Sequence, residues 1–217
     1  MDSVLYKPFI KRPFTQPEPA MCLPTAIKVV FDNQFPDKNI SIRKINALCN
    51  YNGKYQYGVA AERIKDDLSP YLTKNHKLNV FFTEGNKISD LYALLERGIY
   101  PIVQFHLNDY HNWNDGDSET EIFSDDEPNL HSLIVVEINY PEERISLYDP
   151  IYNKYMNYSD LDKIYKPISF LTFTRCWVSS TLHYPCIWLD NLSRTKKIKK
   201  NKLQNPDNQT ALNDFNK

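Results

Sequence analysis

The apolar residues of this 217-residue chain change their period partway along it, and a fold must accommodate both halves. From Cys22 to Phe31, the positions Leu23, Ala26, Ile27, Val30 and Phe31 recur at helical spacing. Pro24 falls in the first turn, where a missing N–H costs nothing. Ser41 is placed to cap a second helix carrying Ile42, Ile45 and Leu48. A third is expected over Val59 to Leu68, ended by Ser69-Pro70. Beyond it the pattern shortens. Leu78 to Phe82 reads as a strand, Ile88 to Arg97 as a helix stopped by Gly98, and Tyr100 to His106 as a strand. His131 to Ile138 and Arg144 to Tyr148 follow as two strands around a Pro-containing turn. Ser159 is expected to cap a short helix through Ile164, and Ser169 to Trp177 reads as one more strand. Helices that lead and strands that follow predict an α+β fold, an N-terminal helical part packed on a C-terminal antiparallel sheet.

Composition narrows the class. Hydrophobic residues make up 41% and charged residues 24%, enough for a packed core. No apolar run approaches the roughly 18 residues of a membrane span. The N-terminus has no basic segment followed by an apolar one, so a secretory signal is not expected and a cytoplasmic location is. Four cysteines without a Cys-x-x-Cys pair argue against a disulfide scaffold and against structural zinc. From Arg194 onward there are seven Lys/Arg against two Asp/Glu, leaving nineteen against twenty-five in residues 1–193. The chain therefore divides into a body, 1–193, and a basic then polar tail, 194–217, expected to be disordered. The tail reads as a solubilising appendage more readily than as a contact for nucleic acid or an anionic surface. No aromatic residue interleaves its basic run as a single-strand binder would require. Residues 107–129 form a polar loop with eight acidic residues, long enough for a flap or an insertion.

Candidate chemistry centres on Cys22. A cysteine attacks as its thiolate, and a helix N-terminus favours that charge through its unsatisfied N–H groups. Cys49 lies at a helix end, where the dipole works the other way. Cys176 sits in an apolar stretch read as strand, and Cys186 in a Pro-flanked loop. The thiol also needs a base, and the base an orienting partner. His131 opens one strand and Asp149 closes the next. A turn centred on Tyr140 pairs residues whose numbers sum to 280, which sets these two opposite each other on one face. Gln16, six residues before Cys22, is a candidate oxyanion donor together with the Cys22 N–H. His106 and His111, with Asp109 or Asp115, match no ligand spacing that fixes coordination geometry, so no metal is expected. His76 and His183 lack distinctive neighbours.

The order Gln, Cys, His, Asp resembles the papain-like cysteine peptidases, and more closely their bacteriocin-processing, double-glycine-leader branch (peptidase family C-thirty-nine and its relatives). The resemblance rests on Gln16, on Cys22-Leu23-Pro24-Thr25-Ala26, on His131-Ser132-Leu133-Ile134-Val135-Val136 and on Ser146-Leu147-Tyr148-Asp149-Pro150. The passage Leu94 to Val103 adds to it, and the whole covers roughly residues 10–178. It implies a papain-like fold and a thiol hydrolase with Cys22 as nucleophile, His131 as base, Asp149 as orienting carboxylate and Gln16 as oxyanion donor, without cofactor or metal. A peptide or protein would be the substrate. The same groups would also serve an acyltransferase or a deamidase, and a non-catalytic peptide-binding module is a third reading. One departure is Met21-Cys22-Leu23 where the family usually has Asp-Cys-Gly. A bulky side chain beside the nucleophile is expected to reshape the cleft. The acidic loop, if it lines that cleft, predicts a preference for basic or neutral peptides.

Overall fold

A computed structural model describes residues 12, 14, 17, 21–49, 61–106, 130–150, 165–177 and 183–192. Three helices come first: α1 (Cys22–Gln34), α2 (Ile42–Leu48) and α3 (Ala61–His76). Strand β1 (Leu78–Thr83), helix α4 (Ile88–Glu96) and strands β2 (Ile102–His106), β3 (Leu130–Asn139), β4 (Arg144–Tyr148) and β5 (Tyr165–Ser169) follow. Helix α5 (Phe170–Trp177) and strand β6 (Cys186–Asn191) complete the described part. All strand pairs are antiparallel, in the order β1-β6-β2-β3-β4-β5.

The α+β expectation stands, with a different layering. One apolar cluster joins α1, α2 and α3 to one face of the sheet through Leu23, Ile27, Ile45, Leu68, Ile102, Ile134 and Val136. A second covers the other face with α4 and α5, through Leu91, Leu95, Val103, Leu133, Val135, Leu147, Phe173 and Trp177. The sheet is thus buried on both sides, which is why β3 reads as an apolar run rather than an alternation.

Three local expectations are corrected. Helix α3 does not stop at Ser69-Pro70 but runs through Pro70 to His76. An interior proline removes one helix hydrogen bond, yet tertiary contacts hold the last turns. Leu68 and Leu72 are buried, the Ser69 hydroxyl accepts from Val80 N (3.1 Å) and donates to Val80 O (3.3 Å), and Thr73 Oγ1 donates to Leu78 O at 3.0 Å. Residues 170–177 form helix α5 where a strand was expected. Phe170, Phe173 and Trp177 follow a helical stripe, and Ser169 caps it, its Oγ accepting from Thr172 N at 3.1 Å. The β-prone phenylalanines and threonines of this segment are overridden by that burial pattern. Cys176 accordingly lies in a helix. Cys186 opens β6, a strand where the sequence suggested a loop, and β6 inserts between β1 and β2. The predicted helix over 159–164, the loop 107–129 and the tail from 194 lie outside the described residues.

Ser69 carries a test of how α3 is held. Replacing Ser69 with Ala leaves the Val80 N–H without that acceptor and should cost about 1–2 kcal/mol, measured as a lowered denaturation midpoint with an unchanged slope. Pro70→Ala restores a helix donor on an exposed position and should be neutral or stabilising.

Candidate active site

Helix α1 starts at Cys22, and its N-cap residue, Met21, makes no side-chain hydrogen bond to the first turn. The first-turn N–H groups carry partial positive charge beside the thiol. The other end of α1 is pinned to the sheet by Gln34, whose Nε2 donates to Leu189 O (2.8 Å) and whose Oε1 accepts from Tyr100 N (3.1 Å). Packing against β3 orients the helix between these ends. The lead-in chain is tied down as well. Arg12 N donates to Asn33 Oδ1 (2.8 Å) and Asn33 Nδ2 to Arg12 O (2.9 Å). Phe14 N donates to the Tyr148 hydroxyl at 3.2 Å, and that hydroxyl faces Phe14 O at 3.3 Å. Phe14 is thereby anchored to the residue preceding Asp149. Gln16 itself lies outside the described residues.

His131 and Asp149 do meet: His131 Nε2 donates to Asp149 Oδ1 at 2.8 Å, both side chains buried. The register that brings them together is not the expected one. The turn spans Tyr140–Glu143, closed by Glu143 N donating to Tyr140 O at 3.1 Å, with Glu143 at φ +50°. Near it Asn139 pairs Arg144 and Glu137 pairs Ser146, so paired numbers sum to 283; beyond it Val135 pairs Leu147 and Ile134 pairs Tyr148, a sum of 282. A β-bulge, with Val136 the extra residue, separates the two stretches. With an odd sum, His131 and Asp149 would project from opposite faces. The bulge restores the even sum, and the two residues become diagonal neighbours on one face instead of a directly opposed pair.

With Nε2 committed to the carboxylate, Nδ1 is the ring nitrogen left for the thiol, and the Cys22 and His131 side chains are hydrogen-bonded. Burial pushes the Cys22 thiol up, but the His131 hydrogen bond and charge, then the backbone N–H and hydroxyl of Ser132, outweigh it and hold the thiol below its ordinary value. Burial alone would lower His131. The charge and hydrogen bond of Asp149, followed by those of Cys22, raise it instead to about 10. The pair therefore favours thiolate and imidazolium over thiol and imidazole. In the thiol form Cys22 Sγ has the Leu130 carbonyl as acceptor at 3.8 Å.

The remaining cysteines contrast with this one. Burial, with Asp67 nearby, pushes Cys49 up to about 12, and burial with Asp90 pushes Cys186 up further. None of the four forms a disulfide. Leu23, expected to crowd the cleft, is instead buried in the core cluster between α1 and the sheet. The backbone of His106 lies in β2; its side chain, with His111, Asp109 and Asp115, falls outside the described residues. Among the described residues no group of His, Cys, Asp and Glu could hold a metal ion. A cavity of about 450 Å³ between α4 and α5, lined by Ile88, Tyr140, Phe170, Thr174, Trp177 and Tyr184, contains none of the candidate residues.

Sequence reasoning missed two buried polar residues on β2 and β3. Ser132 and Gln104 are buried and paired across β2 and β3, with Gln104 Nε2 donating to Ser132 Oγ at 3.3 Å. Their signal was a polar residue set against apolar neighbours, Gln104 between Val103 and Phe105 and Ser132 directly before Leu133 to Val136.

No family model and no curated protein matches the chain. Solved structures do match in fold. A protein described as a C39-like peptidase from Bacillus anthracis aligns with a TM-score of 0.59 at 14% identity, covering 88% of this chain and 98% of that one. The peptidase domain of Streptococcus ComA, a bifunctional ABC transporter of a quorum-sensing pathway, aligns with a TM-score of 0.52 at 15% identity, covering 82% and 96%. The fold is thus that of C39-like peptidases, as the sequence resemblance implied. No helix among the described residues is long and apolar enough to cross a membrane.

Two measurements follow from the electrostatics. Iodoacetamide at pH 6–7, read by peptide mass mapping, should label Cys22 at least tenfold faster than Cys49, Cys176 or Cys186. Asp149→Ala leaves a buried imidazolium without its counter-charge and should cost about 3 kcal/mol or more near pH 7. The sign of the linkage is set by His131, whose folded value lies above its unfolded one. Its stabilisation is complete below about pH 6.5 and is lost as the pH rises towards 10. The difference between wild type and Asp149→Ala should shrink across that window.

Proposed function

We propose that this protein is a cysteine peptidase that hydrolyses a peptide bond through Cys22, His131 and Asp149. The observation carrying this reading is the alignment of the first turn of α1, Cys22, His131 and Asp149, with the His131–Asp149 link at 2.8 Å. The shared fold with peptidase structures supports it.

In this reading Cys22 Sγ attacks the substrate carbonyl carbon as a thiolate. The tetrahedral oxyanion accepts from the Cys22 backbone N–H and from the Gln16 side chain. His131, protonated at Nδ1, delivers that proton to the departing amine as the C–N bond breaks and a thioester forms. The imidazole then removes a proton from water, which attacks the thioester and releases the acid and the thiolate. Asp149 stays ionised throughout, holding the ring with Nδ1 towards sulfur. The ComA domain belongs to a transporter by its description; for the present chain the substrate class proposed is a peptide, free or part of a protein.

The test is turnover of a peptide library that includes Gly-Gly sites, followed by mass spectrometry. Wild type should cleave, Cys22→Ala should not, and His131→Ala and Gln16→Ala should retain about a thousandth and a hundredth of kcat respectively. Addition of an amine nucleophile distinguishes water from another acyl acceptor by the product formed. Failure to trap any thioester on Cys22, together with no turnover, would reject the peptidase reading.

A further inference from the structure

Beneath Cys22, the sheet presents a polar pair in an otherwise apolar layer. Ile134 and Val136 of β3 and Ile102 of β2 belong to the cluster that packs against α1. Ser132 and Gln104 lie two residues from Ile134 and Ile102 on their respective strands. Strand alternation therefore turns them to the same face, under the first turn of α1. The β2–β3 register sets Gln104 directly opposite Ser132. Ser132 is fully buried, and Gln104 is 1% exposed.

The hydrogen-bond inventory of this pair gives it a direction. A serine hydroxyl has one proton and two lone pairs. Gln104 Nε2 fills a lone pair of Ser132 Oγ at 3.3 Å, which leaves the hydroxyl proton to point elsewhere. Cys22 Sγ lies 3.8 Å from the carbonyl oxygen of Leu130, two residues before Ser132 on the same strand, and Ser132 is among the groups that hold the thiol below its ordinary value. Gln104 Oε1, meanwhile, is buried without a hydrogen-bond partner. An unpaired buried carbonyl oxygen is destabilising, and an apolar side chain would suit the surrounding layer better. A local rule broken next to a reactive group marks a residue kept for the site rather than for packing.

We propose that the Ser132 hydroxyl is a catalytic donor to the Cys22 thiolate, and that Gln104 is a positioning residue that turns the Ser132 proton towards sulfur. The sulfur then has donors from two sides, imidazolium from the cleft and hydroxyl from the sheet. During attack the hydroxyl keeps its proton; its hydrogen bond weakens as negative charge moves from sulfur to the carbonyl oxygen. When the thioester breaks down and sulfur regains its charge, Ser132 stabilises the leaving thiolate. This inference rests on Cys22 being the nucleophile.

The experiment is the pH dependence of Cys22 alkylation by iodoacetamide in the full-length protein, for wild type, Ser132→Ala, Ser132→Thr, Gln104→Met and His131→Ala. The charged or titratable side chain acting on Cys22 is His131, itself paired with Asp149. Ser132→Ala should move the acid-limb midpoint up by about one pH unit, so that alkylation below it falls about tenfold. Ser132→Thr keeps a hydroxyl on a β-compatible side chain and should restore the wild-type midpoint. Gln104→Met should shift it in the same direction as Ser132→Ala by a smaller amount, and it provides the reading if Ser132→Ala does not fold. A midpoint unchanged in both Ser132→Ala and Gln104→Met overturns the proposal, even if turnover falls, because a purely structural role would lower activity without moving it. A wild-type midpoint at an ordinary thiol value, insensitive to His131→Ala, would instead overturn the nucleophile assignment itself.

Discussion

One residue more on β3 than on β4 governs the geometry of this protein. The bulge at Val136 converts a ladder that leaves its turn with an odd register into one with an even register. Only the even register sets a buried histidine and a buried carboxylate on the same face, where they form an ion pair at 2.8 Å. The cost of the extra residue is small, because Val136 still packs in the cluster under α1 while Val135 and Ile138 both remain in the cluster on the other face. A bulge at this place changes the aim of the strand while both apolar clusters stay filled.

The electrostatics depend on that placement. Two ionisable groups buried together are costly unless each satisfies the other. Here Asp149 holds His131 charged, and His131 in turn holds Cys22 below its ordinary value against the opposing effect of burial. Cys49 and Cys186, also buried but beside Asp67 and Asp90 respectively, are pushed the other way. The same atom type thus has its thiolate favoured or disfavoured according to whether an imidazolium faces it. Helix α1 supplies the rest, with Cys22 in its first turn and its far end fastened to β6 and to the start of β2 by Gln34.

Much of the site was legible because its parts are local. Cys22 opens a helix that the 3.6-residue spacing and Pro24 announce, and His131 and Asp149 stand at the ends of two segments that read as strands. The detailed pairing was not legible. A turn of unknown length gives a register only to within a residue or two, and the bulge has no composition of its own. The expected opposition of His131 and Asp149 came from the wrong sum, 280, and survives as a diagonal contact because both registers are even. Helix α3 ran past Pro70 and α5 replaced a strand for related reasons. Hydrogen bonds from Ser69 and Thr73 to β1, and the stripe Phe170, Phe173 and Trp177 against the sheet, outweigh local propensity.

By itself the sequence determined the α+β class, the helix that presents Cys22, and the residue types capable of thiolate chemistry in their family-like order. Each of these is set by short-range periodicity or by adjacency along the chain. Tertiary structure alone decided that β6 would separate β1 from β2, that helices would cover both faces of the sheet, and that Leu23 would turn into the core rather than the cleft. It alone brought Ser132 and Gln104 together across β2 and β3. These outcomes follow from which surfaces can bury one another across long separations in sequence, and a free energy of that kind leaves no mark on any single stretch of residues.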